Sequence, residues 1–538
     1  MIVLTLKLAQ LIAQVDKFDF IKYTSSLLYK RSLHEFKLKS NMKILAIAIL
    51  ILVGIGLHYV RQVLSIAAAY KAKLLCSGVF ISHRSPESII QEDLSVEDLK
   101  YFKPITARVD FANKSASASL FGLGRRTAVY HPELGCALVY GDKHNTIPAH
   151  QNTPGENGND VELTMDGRNK PASMGVSGKQ TGQMPETVVA RPYSGLRLSL
   201  NSMALPNFYP VGESKLCRLD TVLDWAFAEP DPKHKRRTRA VVILQDGKII
   251  AERYAPGFDQ DMPLPGWSMA KGVVNALVGI LVGQGKLELD APAPVPEWQG
   301  IDDPRREITL DQLMRMTSGL EFTEKSNNPL YDLTKMLLTT PDSAAYAANK
   351  PLQAKPGTHW CYASGTTNII SRIILSALGE ADYRQFPRQA LFGPLGMGSA
   401  MFECDASGTF VGSSFLYATA RDWAKVGQLY CQDGVWEGKR ILPDGWVGYS
   451  TTPSASDRQY GAHFWLDIQQ KKNCPGMEEP LPADAFHAMG YEGQCVSIMP
   501  SHQLVVVRLG LTRKSSAWQQ DCFLNLIIDA LAGTAEFR

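Results

Sequence analysis

The chain has 538 residues, 45% of them apolar and 20% charged, and carries a formal net charge of +3. That is the composition of a globular protein long enough to bury a large core and hold more than one domain. So small a charge over this length excludes a basic surface of the kind that holds nucleic acid, and no signature of nucleic-acid recognition is present.

The first element is an unbroken apolar run at 44–57 (ILAIAILILVGIGL), extended by His58-Tyr59-Val60. It lies at the short edge of a membrane span, which takes ~17–25 residues. Three readings are open: an uncleaved anchor, a secretory signal cut near Ala67-Ala68-Ala69, and a buried core helix. Arg61 separates the apolar core from those alanines, which favours the anchor, so residues 44–60 are read as the membrane contact. Lys37, Lys39 and Lys43 precede the run and Arg61, Lys71 and Lys73 follow it. The balance leans slightly to an inside N-terminus, with the bulk of the chain exported to the periplasmic side, or secreted if the segment is cleaved. Met42-Lys43 has the look of a natural start. The expected division is therefore a doubtful extension at 1–41 and an anchor or signal segment at 42–69.

Residues 70–141 are expected to form a small accessory region, with a polar helical stretch at 85–99 and strand-like runs at 127–130 and 137–140. Gly122-Leu123-Gly124-Arg125-Arg126 between them lacks the third glycine of a dinucleotide loop. Residues 142–195, rich in Asn, Gly, Pro, Thr, Ser and Gln, read as a polar linker. From 196 to 538 the composition is that of a dense domain. Two β-rich runs, 240–244 and 248–252, flank Asp246-Gly247, a hairpin signal. Residues 267–283 form an apolar helix stopped at Gln284-Gly285, and Thr309-x-x-Gln312 is a capping box opening a short helix. A further helix is expected over 422–430, a strand over 504–509 and a closing helix over 518–531. Strands at both ends of a domain with helices between them indicate an α+β fold built on an antiparallel sheet. The nine cysteines are scattered, without CxxC, and read mainly as isolated buried thiols, with one or two bridges left open in an oxidising compartment; the eleven histidines form no ligand cluster. Neither metal nor other cofactor is expected.

The segment that carries chemistry is Gly266-Trp267-Ser268-Met269-Ala270-Lys271. An SxxK spacing alone is common, and Ser40-Asn41-Met42-Lys43 also fits it. What distinguishes Ser268 is its place in the first turn of an apolar helix, where unpaired N–H groups and the positive dipole end favour negative charge. Residues three apart share a helix face, so Lys271 reaches Ser268. An apolar helix is buried, burial lowers a lysine's pKa, and a neutral amine can take the serine proton. Gly266-x-Ser268-x-Ala270 also resembles a nucleophile elbow, but the preceding Pro263 and Pro265 break the strand that an elbow requires.

In order along the chain, GWSMAK, ITLDQLMRMTSGL, YAS and HAMGYEGQ resemble the motifs of the serine β-lactamase and penicillin-binding superfamily. The likeness is strongest to class C-like esterases and 6-aminohexanoate-oligomer hydrolases, and it covers about residues 200–538. It implies a β-lactamase-like fold, with an antiparallel sheet flanked by helices and an all-helical subdomain. It also implies Ser268 as the acylated nucleophile, Lys271 as the adjacent base and Tyr362 of Tyr362-Ala363-Ser364 as a second proton carrier. Ser364 replaces the asparagine usual in β-lactamases, which weakens the case for β-lactam binding. His487 of the third motif stands where a cation normally binds a substrate carboxylate, and the Gly490 N–H is the expected second oxyanion donor beside that of Ser268. The function so implied is serine hydrolysis of an amide, ester or peptide-like small molecule through an acyl-enzyme. A D-alanyl-peptidase or β-lactamase, or a membrane-anchored binding protein without turnover, are the alternatives.

Overall fold

The computed structural model describes residues 27–141, 215–325, 328–468 and 480–533. The expected linker at 142–195 lies outside the described residues. The chain divides into two units, Met1–Gln62 and Val63–Arg538. The first contains the beginning of helix α1 (Leu27–Phe80). Leu45, Leu50, Ile55 and Leu57 on it each expose more than half of their surface. The helix is long and apolar enough to cross a membrane, and its most apolar window is 0% buried, so the core-helix reading of this run falls away.

The second unit is built on a five-stranded antiparallel sheet. Its strands are β5 (Thr238–Gln245), β6 (Lys248–Tyr254), β7 (Phe486–Gly490), β8 (Gln494–Met499) and β9 (Leu504–Gly510), in the order β7-β8-β9-β5-β6. Asp246 and Gly247 turn the β5–β6 hairpin with φ of 51° and 73°, the left-handed pair that a two-residue turn demands. Both faces of the sheet are covered, which is why its central strands read as apolar runs. Val241 and Ile243 pack on α2 (Lys215–Phe227) and the closing helix α8 (Gln520–Ala532). Ala240, Val242 and Leu244 face the core shared by α3 (Ala270–Gly283) and α7 (Ala420–Cys431). Helices α4 (Leu310–Met314), α5 (Asp332–Thr339) and α6 (Ser364–Leu378) extend that second layer. Thr309 and Gln312 close a reciprocal capping box on α4. The fold is mixed α and β with antiparallel sheets.

The second unit also takes in α1 from Val63 onward and a four-stranded antiparallel meander. Its strands are β1 (Thr106–Asp110), β2 (Ser115–Leu120), β3 (Leu123–His131) and β4 (Gly135–Leu138). Ala68, Ala69, Ala72 and Leu75 of α1 pack on Ala116, Ala118, Ala128 and Cys136, small side chains that let helix and sheet approach closely. Lys71 and Lys73, counted above among the charges flanking the apolar run, are buried inside this unit. Lys73 is ion-paired with Glu403, whose carboxylate also accepts from Ser77 Oγ at 2.7 Å and the Cys136 N–H at 2.9 Å. Arg84 and Arg239 share Asp93. The expected helix over 85–99 is broken into Pro86–Ser88, Ile89–Asp93 and Glu97–Phe102, because Asp93 is drawn to two arginines and Glu97 takes φ 44°. Cys522 is disulfide-bonded, whereas Cys76, Cys136, Cys404, Cys431 and Cys495 are buried free thiols.

Candidate active site

The serine turn begins at the short strand Leu264–Pro265, which pairs with Leu416–Ala418 and delivers the chain to Gly266. A Cβ on Gly266 would come within 2.1 Å of the Trp423 ring, so only glycine lets the backbone pass. Trp267 then takes φ 49°, a left-handed conformation that a bulky side chain adopts only under constraint. The constraint is visible: its ring is buried, its Nε1 donates to Glu492 Oε2 at 3.3 Å, and it meets the Tyr491 ring edge-on at 5.6 Å. This turn leads through a 3₁₀ segment, Trp267–Met269, into α3 and leaves Ser268 partly exposed at the helix start.

Helix α3 is buried nearly all round, and Lys271 is only 1% exposed. Its Nζ lies 3.0 Å from each of Ser268 Oγ, Ser364 Oγ and Ser413 O. Three acceptors suit an ammonium; with the amine neutral, the Ser268 hydroxyl becomes the donor. Burial lowers the Lys271 pKa to about 8, against the opposing pull of Glu324. Glu324 accepts from Ser364 Oγ at 2.5 Å and from the Ser364 N–H at 2.8 Å. Burial raises its carboxyl above the usual range, while Lys271 draws it back.

Tyr362 enters from the segment before α6. Its ring centroid is 4.9 Å from Lys271 Nζ, and it stacks on Trp465 at 5.5 Å. Burial pushes the phenol up, Glu324 adds to this, and a hydrogen bond with Ser268 opposes it. Behind the lysine, His463 Nδ1 is 3.0 Å from the Lys271 carbonyl and Nε2 is 3.2 Å from Thr367 Oγ1. Burial and the nearby lysine charge lower this imidazole to about 3, so it stays neutral.

Strand β7 closes the opposite side. A Cβ on Gly490 would come within 2.2 Å of Gly266 O, so the strand end lies directly against the serine turn. Ser268, Tyr362, Ser364, Glu324 and Gly490 line one cavity of about 780 Å³. His487 does not line it, and the expectation of a carboxylate-binding cation there is corrected. Its Nδ1 is 2.9 Å from Ser497 Oγ, and burial lowers the ring to about 3, leaving a neutral imidazole. Glu324 and His463 were missed in the sequence. Glu324 stands in the loop at 321–330, where one carboxylate has no spacing to announce it, and His463 reaches the site only through tertiary packing.

A family profile described as Beta-lactamase matches residues 223–517. The 6-aminohexanoate-dimer hydrolase of Paenarthrobacter ureafaciens is 24% identical over 299 residues, covering 51% of this chain and 72% of that protein. A Bacillus anthracis structure with a provisional 6-aminohexanoate-dimer hydrolase name aligns at 22% identity and TM-score 0.49, over 62% of this chain and 85% of its own. A penicillin-binding protein homolog from Caulobacter crescentus aligns at 15% identity and TM-score 0.45, over 60% and 99% of the two chains.

Proposed function

The chain belongs to the beta-lactamase family, and on that premise we propose that it is a serine hydrolase cleaving an amide or ester through an acyl-enzyme on Ser268. One observation carries this reading: a buried lysine amine 3.0 Å from a serine hydroxyl at a helix start that opens into a cavity. With a pKa of about 8, roughly one lysine in ten is neutral at pH 7, against about one in several thousand for an exposed lysine. Ser268 Oγ attacks the carbonyl carbon and its proton passes to the Lys271 amine. Tyr362, in reach of both, carries a proton to the departing nitrogen or oxygen as the C–N or C–O bond breaks. Water then adds to the Ser268 ester, giving up a proton to the same groups, and the acid leaves as Ser268 recovers its hydrogen. The N–H groups of Ser268 and Gly490 are the donors for the oxyanion in both halves. Glu324 and Ser364 act through Lys271, holding its nitrogen in place and tuning how readily it deprotonates.

The name of the Paenarthrobacter relative supports an amide substrate class. For the chain's placement, Lys37, Lys39 and Lys43 before the apolar run and Arg61, Lys71 and Lys73 after it lean only slightly to an N-terminus inside and a hydrolase unit exported. The test is a fluorophosphonate probe read by intact mass. Stoichiometric labelling is expected in the native chain, none in Ser268→Ala, and a loss of at least about a thousandfold in labelling rate in Lys271→Met with its thermal midpoint kept. Normal labelling of Lys271→Met defeats the assignment of the base.

A further inference from the structure

The cavity is walled on one side by α1. Val63, Ile66, Ala67, Tyr70 and Leu74 line it, a spacing of three and four that presents one helix face. Leu333 and Leu337 of α5, with Ile468 and Met489, supply further apolar lining. The hydrolytic groups occupy one part of a site large enough for a ligand well beyond the reacting bond. In the sequence, Val63 stands three residues after Val60, the end of the apolar run.

A second observation lies in the same unit. The β2–β3 turn exposes Phe121 by 88% and Leu123 by 72%, with Arg125 exposed beside them. Arg126 Nε donates to Ser65 Oγ at 2.9 Å, whereas Tyr130 stacks on Phe80 at 5.6 Å. Strand β3 therefore runs alongside α1 in the same direction, and its apolar turn lies at the Val63 end. An exposed aromatic and leucine flanked by arginine at that end form a small patch suited to the boundary between water and an anionic lipid surface.

Resting on the reading of Ser268 as the acylated nucleophile, we propose that the substrate is a membrane-resident amphiphile, an ester or amide bearing a long hydrocarbon chain. The chain lies along the Val63–Leu74 face of α1, and the scissile carbonyl reaches Ser268. Hydrolysis follows the balance given above, with water as the acceptor, and releases an acid and an alcohol or amine.

The experiment uses the full chain in phosphatidylcholine vesicles, with p-nitrophenyl butyrate and p-nitrophenyl laurate as probes and fluorophosphonate labelling to count active sites. The expected kcat/KM is at least about tenfold higher for laurate, since each added methylene gains from leaving water. Val63→Asp and Ala67→Asp are each expected to lower the laurate-to-butyrate ratio by about fivefold or more. Equal or falling kcat/KM with chain length, at sites that label, overturns the inference and leaves the hydrolase reading standing. So does an unchanged ratio in both variants. A native chain that neither labels nor hydrolyses either ester overturns both. If one variant fails to fold, the chain-length profile of the native protein and the other variant decide.

Discussion

At Lys271 the governing quantity is solvation. The same amine on a helix surface is an ammonium at pH 7; buried in α3, it is held near the pH at which it can exchange a proton. Glu324 works against burial, because its negative charge favours the protonated lysine. Removing that charge therefore lowers the lysine pKa further. Glu324→Gln is expected to move the alkaline-rising limb of the acylation rate to lower pH, by about one unit; the amide oxygen keeps one of the two Ser364 hydrogen bonds and its NH2 cannot accept the other. A profile unmoved on the pH axis means that Glu324 has no electrostatic hold on Lys271. His463 and His487 belong at the same scale: two buried imidazoles held neutral, neither of them presented to the cavity.

Among the elements, the serine turn and α3 act as one device. The helix must be apolar to bury Lys271, yet its first turn must open to the cavity at Ser268. The left-handed Trp267 resolves this by rotating the chain between a short strand and the helix. Gly266 makes the rotation possible, since the Trp423 ring occupies the space of any side chain there. Gly266→Ala is expected to destabilise the fold by about 1–3 kcal/mol through overpacking. It should also cut labelling of Ser268 well beyond what the lost stability explains, because the turn carries the proposed nucleophile. A thermal midpoint lowered with labelling intact shows that the turn is only a packing feature.

Over the whole molecule, α1 belongs to the exposed apolar run in its first half and to the hydrolase unit in its second. Cutting the chain at residue 70 would remove Ile66, Ala68 and Ala69 from the core, so a soluble form must begin at or before Val63. The Lys73–Glu403 pair joins α1 to the segment before Ser413, whose carbonyl touches Lys271. Lys73→Met leaves a buried carboxylate unpaired and is expected to destabilise the chain by about 3–5 kcal/mol, read as a lowered urea midpoint. A midpoint unchanged within error shows that α1 is not fastened to the hydrolase core by this pair.

The sequence by itself determined whatever depends on neighbours along the chain: the Asp246-Gly247 hairpin, the Thr309 capping box, the apolar helix behind Ser268 and the apolar run at 44–57. It also made Ser268, Lys271 and Tyr362 legible as a set, because an ordered series of motifs constrains more than any one of them. Tertiary structure alone decided what no spacing encodes. Glu324 meets Ser364 across 40 positions, and His463 meets Lys271 across 192. Lys71 and Lys73, read as solvent charges, turn inward because a strand meander and Glu403 enclose them. His487 faces Ser497 because pairing with Trp465 and β8 sets its side of the strand. Local propensity is a property of a few successive residues, whereas burial and charge pairing depend on which distant segments arrive.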